Sequence, residues 1–303
     1  MHVLRCRAMA VKASSRLSPA APTESGLDLS NCFSVATWNV NSLRMRWDRL
    51  CAWLSDKRPD VLCLQEIKMQ DADFPTLELH GLGYHAVAHG QKTYNGVAIL
   101  SRVEHGSPEA VKCGMQDGDP DAESRLIVAT IPALGVRVAS VYVPNGQVVG
   151  ADKYEYKLRW LARFRSYLDR ECNPTQSLVL CGDYNIAPAD SDVHDPDVWR
   201  DTVICHPSAR DALGRILDFG LIDTLRRCQP DGKIFTYWDY RGLSFPKNLG
   251  IRIDHILATS VLADRCQKVE VDRQARKGEK PSDHAPVQAW FLRETPSFQT
   301  ITK

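Results

Sequence analysis

Two short stretches place a pair of polar residues two positions apart where an apolar run stops: Asn39 and Asn41 in ATWNVN, and Asp183 and Asn185 in LCGDYNIAP. On a strand, positions i and i+2 point to the same side, so each pair presents two polar groups to one face. Four further segments behave alike. Glu66 closes VLCLQE, Tyr142 and Asn145 close SVYVPNG, Asp254 lies inside IRIDHIL with Arg252 on its own side, and Asp283 and His284 precede the last apolar run in SDHAPV. Each taken singly has an ordinary explanation, because Asp and Asn form turns and a histidine can be satisfied within a core. Together they supply one chemistry. Phosphodiester hydrolysis needs a hard cation to neutralise a phosphoryl oxygen, an activated water, a donor to the phosphate and help for the leaving oxygen. Glu66 and Asp283 are hard oxygen ligands of the kind Mg²⁺ takes. A histidine oriented by an aspartate from another segment can hold a phosphate as a charged imidazole. The rival, a serine–histidine–aspartate hydrolase, lacks its GxSxG elbow in this sequence.

The elements that must position these groups are legible from pattern. FSVATWNV, RPDVLCLQE, GVAILS, RLIVATI, VRVASVYVP, SLVLCGDYN, IRIDHILA and APVQAWFL read as strands, rich in β-branched and apolar residues. RWDRLCAWL puts Trp47, Leu50, Cys51 and Leu54 on one helical face. DKYEYKLRWLARFRSYLDRE reads as the clearest helix, with Leu158, Leu161, Phe164 and Leu168 near one stripe and Lys157, Arg159, Arg163 and Arg170 left for other faces. ARDALGRILDFGLIDT reads as a helix ending near Gly220. Strands alternate with helices twice and otherwise follow one another as in hairpins. That order predicts a mixed α/β sandwich and not an all-parallel sheet.

Composition bounds the rest. At 303 residues, 44% of them hydrophobic, the chain suffices for one large core. A net charge of +1 means that an anionic partner must be met by a local basic patch and not by the field of the whole molecule. The ten cysteines form no CxxC pair, which disfavours a zinc knuckle, and Cys63 and Cys181 sit inside apolar runs as small hydrophobes. A reducing compartment without disulfides is the expectation. No run of about 18 apolar residues is present, so no membrane helix is expected. Residues 1–30 carry Arg, Lys, Ser and Ala with no acid before Glu24, and read as an organelle transit peptide, a disordered tail or a stretch upstream of the true start.

WNVNSLR, LQEIK, YNGVAILS, SVYVPNG, GDYNIAP, FTYWDYR, RIDHIL and PSDHAPV occur in this order, and across residues 33–293 the chain resembles the exonuclease III family of apurinic/apyrimidinic (AP) endonucleases, within the endonuclease/exonuclease/phosphatase superfamily. The resemblance implies a four-layered αββα sandwich, two mixed β-sheets face to face with helices outside. One catalytic domain over residues 31–295 is expected, with a C-terminal tail at 296–303. It implies Mg²⁺-dependent incision of duplex DNA 5′ to an abasic site, leaving a 3′-hydroxyl, with 3′→5′ exonuclease and 3′-end-cleaning activity. Mn²⁺ is expected to substitute. By the same carry-over, Glu66 is the principal metal ligand, with Asn39, Asn41, Asp183, Asn185 and Asp283 around it. Some members carry Asp where this chain has Asn41, and losing that charge weakens a metal contact there. Asp183 orients or deprotonates the attacking water, Asn185 and His284 hold the scissile phosphate, Asp254 fixes the His284 ring, and Tyr142 serves the phosphate or the leaving oxygen. Asn145 and Arg125 are expected to bind substrate, and Tyr237, Trp238, Ile251 and Ile253 to line the region of a pocket for a base-free sugar. The alternatives are a superfamily phosphatase acting on phosphoinositides or other small phosphoesters, and a catalytically silent DNA-binding relative. Relatives of the lipid-phosphatase kind tend to carry a histidine where this chain has Tyr142, and no basic or amphipathic surface element for a membrane is evident. The expected partner is double-stranded DNA with abasic sites or blocked 3′ ends, met by a monomer in the cytoplasm at the nucleoid, or in an organelle if residues 1–30 direct import.

Overall fold

The computed structural model describes residues 28–119 and 123–294; the basic stretch up to residue 27 and the tail at 296–303 lie outside the described residues. Twelve strands are β1 (Cys32–Asn39), β2 (Val61–Gln65), β3 (Tyr84–His89), β4 (Val97–Arg102), β5 (Glu109–Cys113), β6 (Leu126–Ile131), β7 (Val136–Tyr142), β8 (Leu178–Asp183), β9 (Leu221–Asp223), β10 (Asp254–Thr259), β11 (Cys266–Val271) and β12 (Val287–Leu292). The helices are α1 (Leu43–Lys57), α2 (Thr76–Gly81), α3 (Asp152–Glu171), α4 (Pro196–Trp199), α5 (Pro207–Leu217), α6 (Thr224–Cys228) and α7 (Ser260–Ala263).

The strands form two six-stranded sheets, ordered β11-β12-β1-β2-β4-β3 and β5-β6-β7-β8-β10-β9. Among the described residues, only β1–β2 and β7–β8 pair in parallel, and these are the two places where a helix, α1 or α3, crosses between neighbours. Every other pairing is antiparallel. The two sheets pack face to face. Phe33, Val35, Val61, Cys63 and Ile99 of the first sheet meet Ile127, Val138, Val179, Cys181 and Ile256 of the second in one buried layer. Each fully buried Val or Ile there contributes about 2 kcal/mol. Outside the first sheet α1 packs through Leu43, Leu50, Trp53 and Leu54; outside the second, α3 and α5 pack through Trp160, Leu161, Phe164, Leu213 and Ile216. The four-layered αββα sandwich is therefore present.

The long helix departs from its sequence reading at one residue. Lys157 was expected on an outer face, yet it is fully buried with Tyr154, Trp160 and Leu161. Its ammonium donates to the backbone carbonyls of Asn145, Asn185 and Val203 at 3.2, 2.7 and 2.8 Å. Three donors thus find three acceptors, which is what a buried ammonium requires.

Candidate active site

The polar residues singled out in the sequence collect at one end of both sheets. Asn39 ends β1 beside Gln65, the last residue of β2, so Glu66 follows directly on the neighbouring strand. Asp183 ends β8 with Tyr142 in register on β7 and Asp254 opposite it on β10. A glycine is required just before it. A Cβ on Gly182 would lie 1.8 Å from the Val141 carbonyl oxygen, so only a residue without one lets β7 and β8 close up behind Asp183. His284 arrives before β12, bridged to Tyr237.

The repeated i, i+2 pattern has a specific origin. Asn41 and Asn185 leave the strand conformation with φ of 44° and 50°, and Glu66 with φ of 52°. In both pairs the first side chain accepts the backbone N–H of the second: Asn39 Oδ1 from Asn41 at 3.0 Å, and Asp183 Oδ1 from Asn185 at 2.9 Å. These are turns closed by Asx side chains. One side-chain atom makes the turn, and the other is left for the site. With Lys68, whose φ is 52°, four non-glycine residues of positive φ gather in one cluster, the kind of local strain that active sites hold.

Those remaining atoms meet across the sandwich. Asn39 Nδ2 donates to Glu66 Oε1 at 2.9 Å and to Asp183 Oδ2, on the opposite sheet, at 3.0 Å. His284 Nδ1 lies 2.8 Å from Asp254 Oδ2, and its Nε2 lies 3.7 Å from Asp183 Oδ2. One ligand atom each from Asp183, Asp254 and His284 fall within 4.8 Å of one another, all three residues buried. Asn185 donates to Val143 O at 3.0 Å and accepts from Asn145 Nδ2 at 2.9 Å.

Burial sets the charge states. Burial alone would lower the His284 pKa, but the charges of Asp254 and Asp183 and the Asp254 hydrogen bond raise it from 6.5 to about 10, so the ring is an imidazolium at neutral pH. Burial, with repulsion from Asp254 and Glu66, pushes Asp183 up to about 7 against the pull of His284 and the Asn185 N–H. Burial would also raise Glu66, but Lys68 and Asn39 hold it below its ordinary value. Tyr142 stays protonated, because burial and the neighbouring Glu66 and Asp183 drive its pKa well above that of a free phenol.

The groups expected to hold a metal divide. Lys68 Nζ bridges Glu66 Oε2 at 2.8 Å and Asn41 Oδ1 at 2.6 Å, and Asn41 Nδ2 donates to Asp283 Oδ1 at 3.0 Å. Oxygens of Glu66 and Asn41 therefore already converge on a cationic atom, and the donor set fits a hard divalent ion. Asn39, also expected near the metal, turns its amide nitrogen to the carboxylates and uses its oxygen for the turn, so it joins Glu66 to Asp183 as a donor.

The residues expected to bind substrate are more scattered. Asn145 is exposed and Tyr237 half-buried, the latter with its ring 4.9 Å from and edge-on to His284. Arg125 is buried; its guanidinium stacks over the Tyr142 ring at 4.8 Å and donates to Glu123 and to Tyr142 O, so it braces Tyr142. Trp238, Ile251 and Ile253 are core residues with almost no exposed surface, Trp238 against Phe245 and Asn248 and the isoleucines in the cluster under α3 and α5. They shape the wall from behind. Pattern reading missed Lys68, although it follows Glu66 by two positions in LQEIK. It also missed Ser282, whose hydroxyl donates to Asn39 O at 2.7 Å and accepts from His284 N at 3.2 Å, fastening the His284 loop to β1.

A hydrolytic centre of carboxylates, amides and a paired histidine at the strand ends of an αββα sandwich defines a class, and comparison agrees with it. The chain belongs to the endonuclease/exonuclease/phosphatase family, whose sequence profile matches residues 36–284. It is 37% identical over 265 residues to exodeoxyribonuclease III of Haemophilus influenzae, covering 84% of this chain and 98% of that one. It is 32% identical to the DNA repair nuclease APEX1 of Danio rerio, over 84% of this chain and 80% of that one. Among solved structures, an AP endonuclease from Archaeoglobus fulgidus and a 3′–5′ exonuclease from Neisseria meningitidis each align with a TM-score of 0.82 and 43% identity, covering 86% of this chain and 99% of theirs. A Neisseria 3′ phosphatase bound to a product DNA hairpin aligns equally well.

Proposed function

We propose that the chain is a Mg²⁺-dependent AP endonuclease that hydrolyses duplex DNA 5′ to an abasic site, with 3′→5′ exonuclease and 3′-end-cleaning activity, acting as a monomer. The single observation that carries the reading is the convergence of Glu66, Asp183, Asp254 and His284, drawn from two sheets and joined through Asn39. Glu66, Asp283 and Asn41 would hold Mg²⁺, or Mn²⁺ in its place. A divalent ion held there would supply positive charge to neutralise a phosphoryl oxygen.

The remaining steps belong to the chain. Asp183, with a pKa of about 7, accepts the proton of the attacking water at neutral pH. The His284 imidazolium, kept charged by Asp254, and the amide of Asn185 donate to non-bridging phosphate oxygens, with Asn145 steadying Asn185. Tyr142, held as a neutral phenol, donates to the departing 3′ oxygen. Tyr237 beside His284 flanks the sugar.

The test is incubation of the pure protein with an abasic-site duplex and with a duplex ending in a 3′-phosphate, both with Mg²⁺. The expected result is one incision 5′ to the abasic site, absent with Glu66→Ala. Loss of incision with 3′-phosphate release intact would move the reading to 3′-end processing, the activity named for the Neisseria phosphatase. Inertness on both substrates, with binding retained, would leave a silent DNA-binding relative.

A further inference from the structure

Away from the hydrolytic centre, Cys228 closes α6 and Cys266 opens β11, and their sulfurs lie 3.7 Å apart. The two elements belong to different layers. Helix α6 follows β9, at the edge of the second sheet, whereas β11 is the edge of the first. Gln229 Nε2 donates to Val269 O at 2.7 Å and holds the two together. A bulge breaks the β11–β12 register between Cys266 and Lys268, and the Cys266 sulfur also reaches Lys268 O at 3.8 Å.

The two thiols are unequal. Cys228 is partly exposed, and Cys266 is 8% exposed. The hydrogen bond from Cys266 lowers the Cys228 pKa, burial works against it, and Arg227 adds to the lowering; Cys266 is raised, first by that same bond and then by burial. The first proton lost therefore leaves a thiolate on Cys228 that accepts from the Cys266 S–H. Cys228 also borders a cavity of about 850 Å³ shared with Gln229, Lys233, Gln267 and Lys268, through which a small oxidant can reach it. Cys63 and Cys181, by contrast, are sealed inside the sandwich.

We propose that Cys228 and Cys266 are a peroxide-reactive dithiol that closes to a disulfide joining α6 to β11. The Cys228 thiolate attacks one oxygen of a hydroperoxide; the S–O bond forms, the O–O bond breaks, and hydroxide or alkoxide leaves and takes up a proton. The Cys266 sulfur then attacks the resulting sulfenic acid, the S–S bond forms, and the hydroxyl leaves as water with the Cys266 proton. Two thiols lose two electrons and the hydroperoxide gains them. This inference does not depend on the hydrolytic reading.

Treatment of the full chain with hydrogen peroxide, followed by non-reducing peptide mapping, tests it. The expected product is a Cys228–Cys266 cross-linked peptide, lost on reduction with dithiothreitol, with a Tm raised by about 5 °C relative to the reduced protein. Cys266→Ser removes the second thiol, so its Cys228 should accumulate as a sulfenic acid trapped by dimedone. Cross-linking to other cysteines, over-oxidation of Cys228 without a link to Cys266, or a dimedone-silent Cys228 in Cys266→Ser would each overturn the assignment.

Discussion

Asp254→Asn probes the charge on which the proposed phosphate binding rests. The carboxylate contacts no other catalytic group as closely as His284 Nδ1, at 2.8 Å. Its backbone N–H is held by Thr236 Oγ1 at 3.1 Å, and Asn is nearly isosteric, so the fold should survive. The interval between 6.5 and about 10 at His284 corresponds to about 5 kcal/mol of preference for the imidazolium. Asp254 is the foremost of the groups that raise it. Assigning it about half, about 2.5 kcal/mol, moves the titration of the ring roughly two pH units toward acid, so the variant should stay close to native at pH 7 and lose on the order of tenfold in kcat by pH 9.5, where the native ring is still largely charged. The sign is definite. In the native protein the imidazolium persists up to about pH 10; without Asp254, burial dominates and the ring discharges at a lower pH, so the alkaline limb of the rate profile must move toward acid. Single-turnover incision of an abasic duplex from pH 5.5 to 9.5, with the His284 ring followed by NMR, measures both. A variant with an unmoved alkaline limb and a ring still charged at pH 9.5 would show that Asp254 does not hold the charge on His284.

Asp183→Asn should lower kcat by about 10³ or more while leaving DNA affinity within a few-fold, measured by single-turnover cleavage and by fluorescence anisotropy; parallel collapse of binding would remove the water-activating role. Chelation by EDTA should abolish incision, and Glu66→Ala should weaken Mn²⁺ binding at least tenfold in a direct titration without substrate; unchanged Mn²⁺ affinity would place the ion elsewhere. Asp60 gives a stability test at the far ends of the same strands. Burial would raise its pKa, but His105, the Ser34 N–H and Arg102 bring it from 3.8 down to about 2. Its stabilisation, about 2 kcal/mol, is present above pH 3.8 and lost as pH falls toward 2, so Asp60→Asn should cost that much in urea melts at pH 7 and progressively less in acid. A penalty independent of pH would count against the charge as its source.

What the sequence revealed follows burial. All eight strands read from pattern lie inside the sheets, where both faces are covered and apolar runs are continuous, as in VLCLQ of β2 and LVLCGD of β8. The four strands it missed, β3, β5, β9 and β11, are the four sheet edges. YHAVAH, EAVKC, LID and CQKVEV are short or half-exposed and carry the charges and polar residues that edges tolerate, so no periodicity marks them. The polar ends of the inner strands stood out because a carboxylate after such a run needs a reason. Lys157 was misread for the complementary cause. Helical spacing locates a face but does not show that three loop carbonyls await an ammonium there. Trp238, Ile251 and Ile253 lie near the site in sequence logic, and only the packing shows that they face inward.

The Asn39 amide binds a carboxylate on each sheet, so half of the reacting centre rides on one wall of the sandwich and half on the other. Further in, Gln65 and Ser140 link the same two walls at 3.0 Å. With the roles proposed above, turnover would be a caliper reading of the gap between the walls. Trimming a methyl group from the sealed interior, well away from any DNA, should register in the rate before it registers in the melting curve.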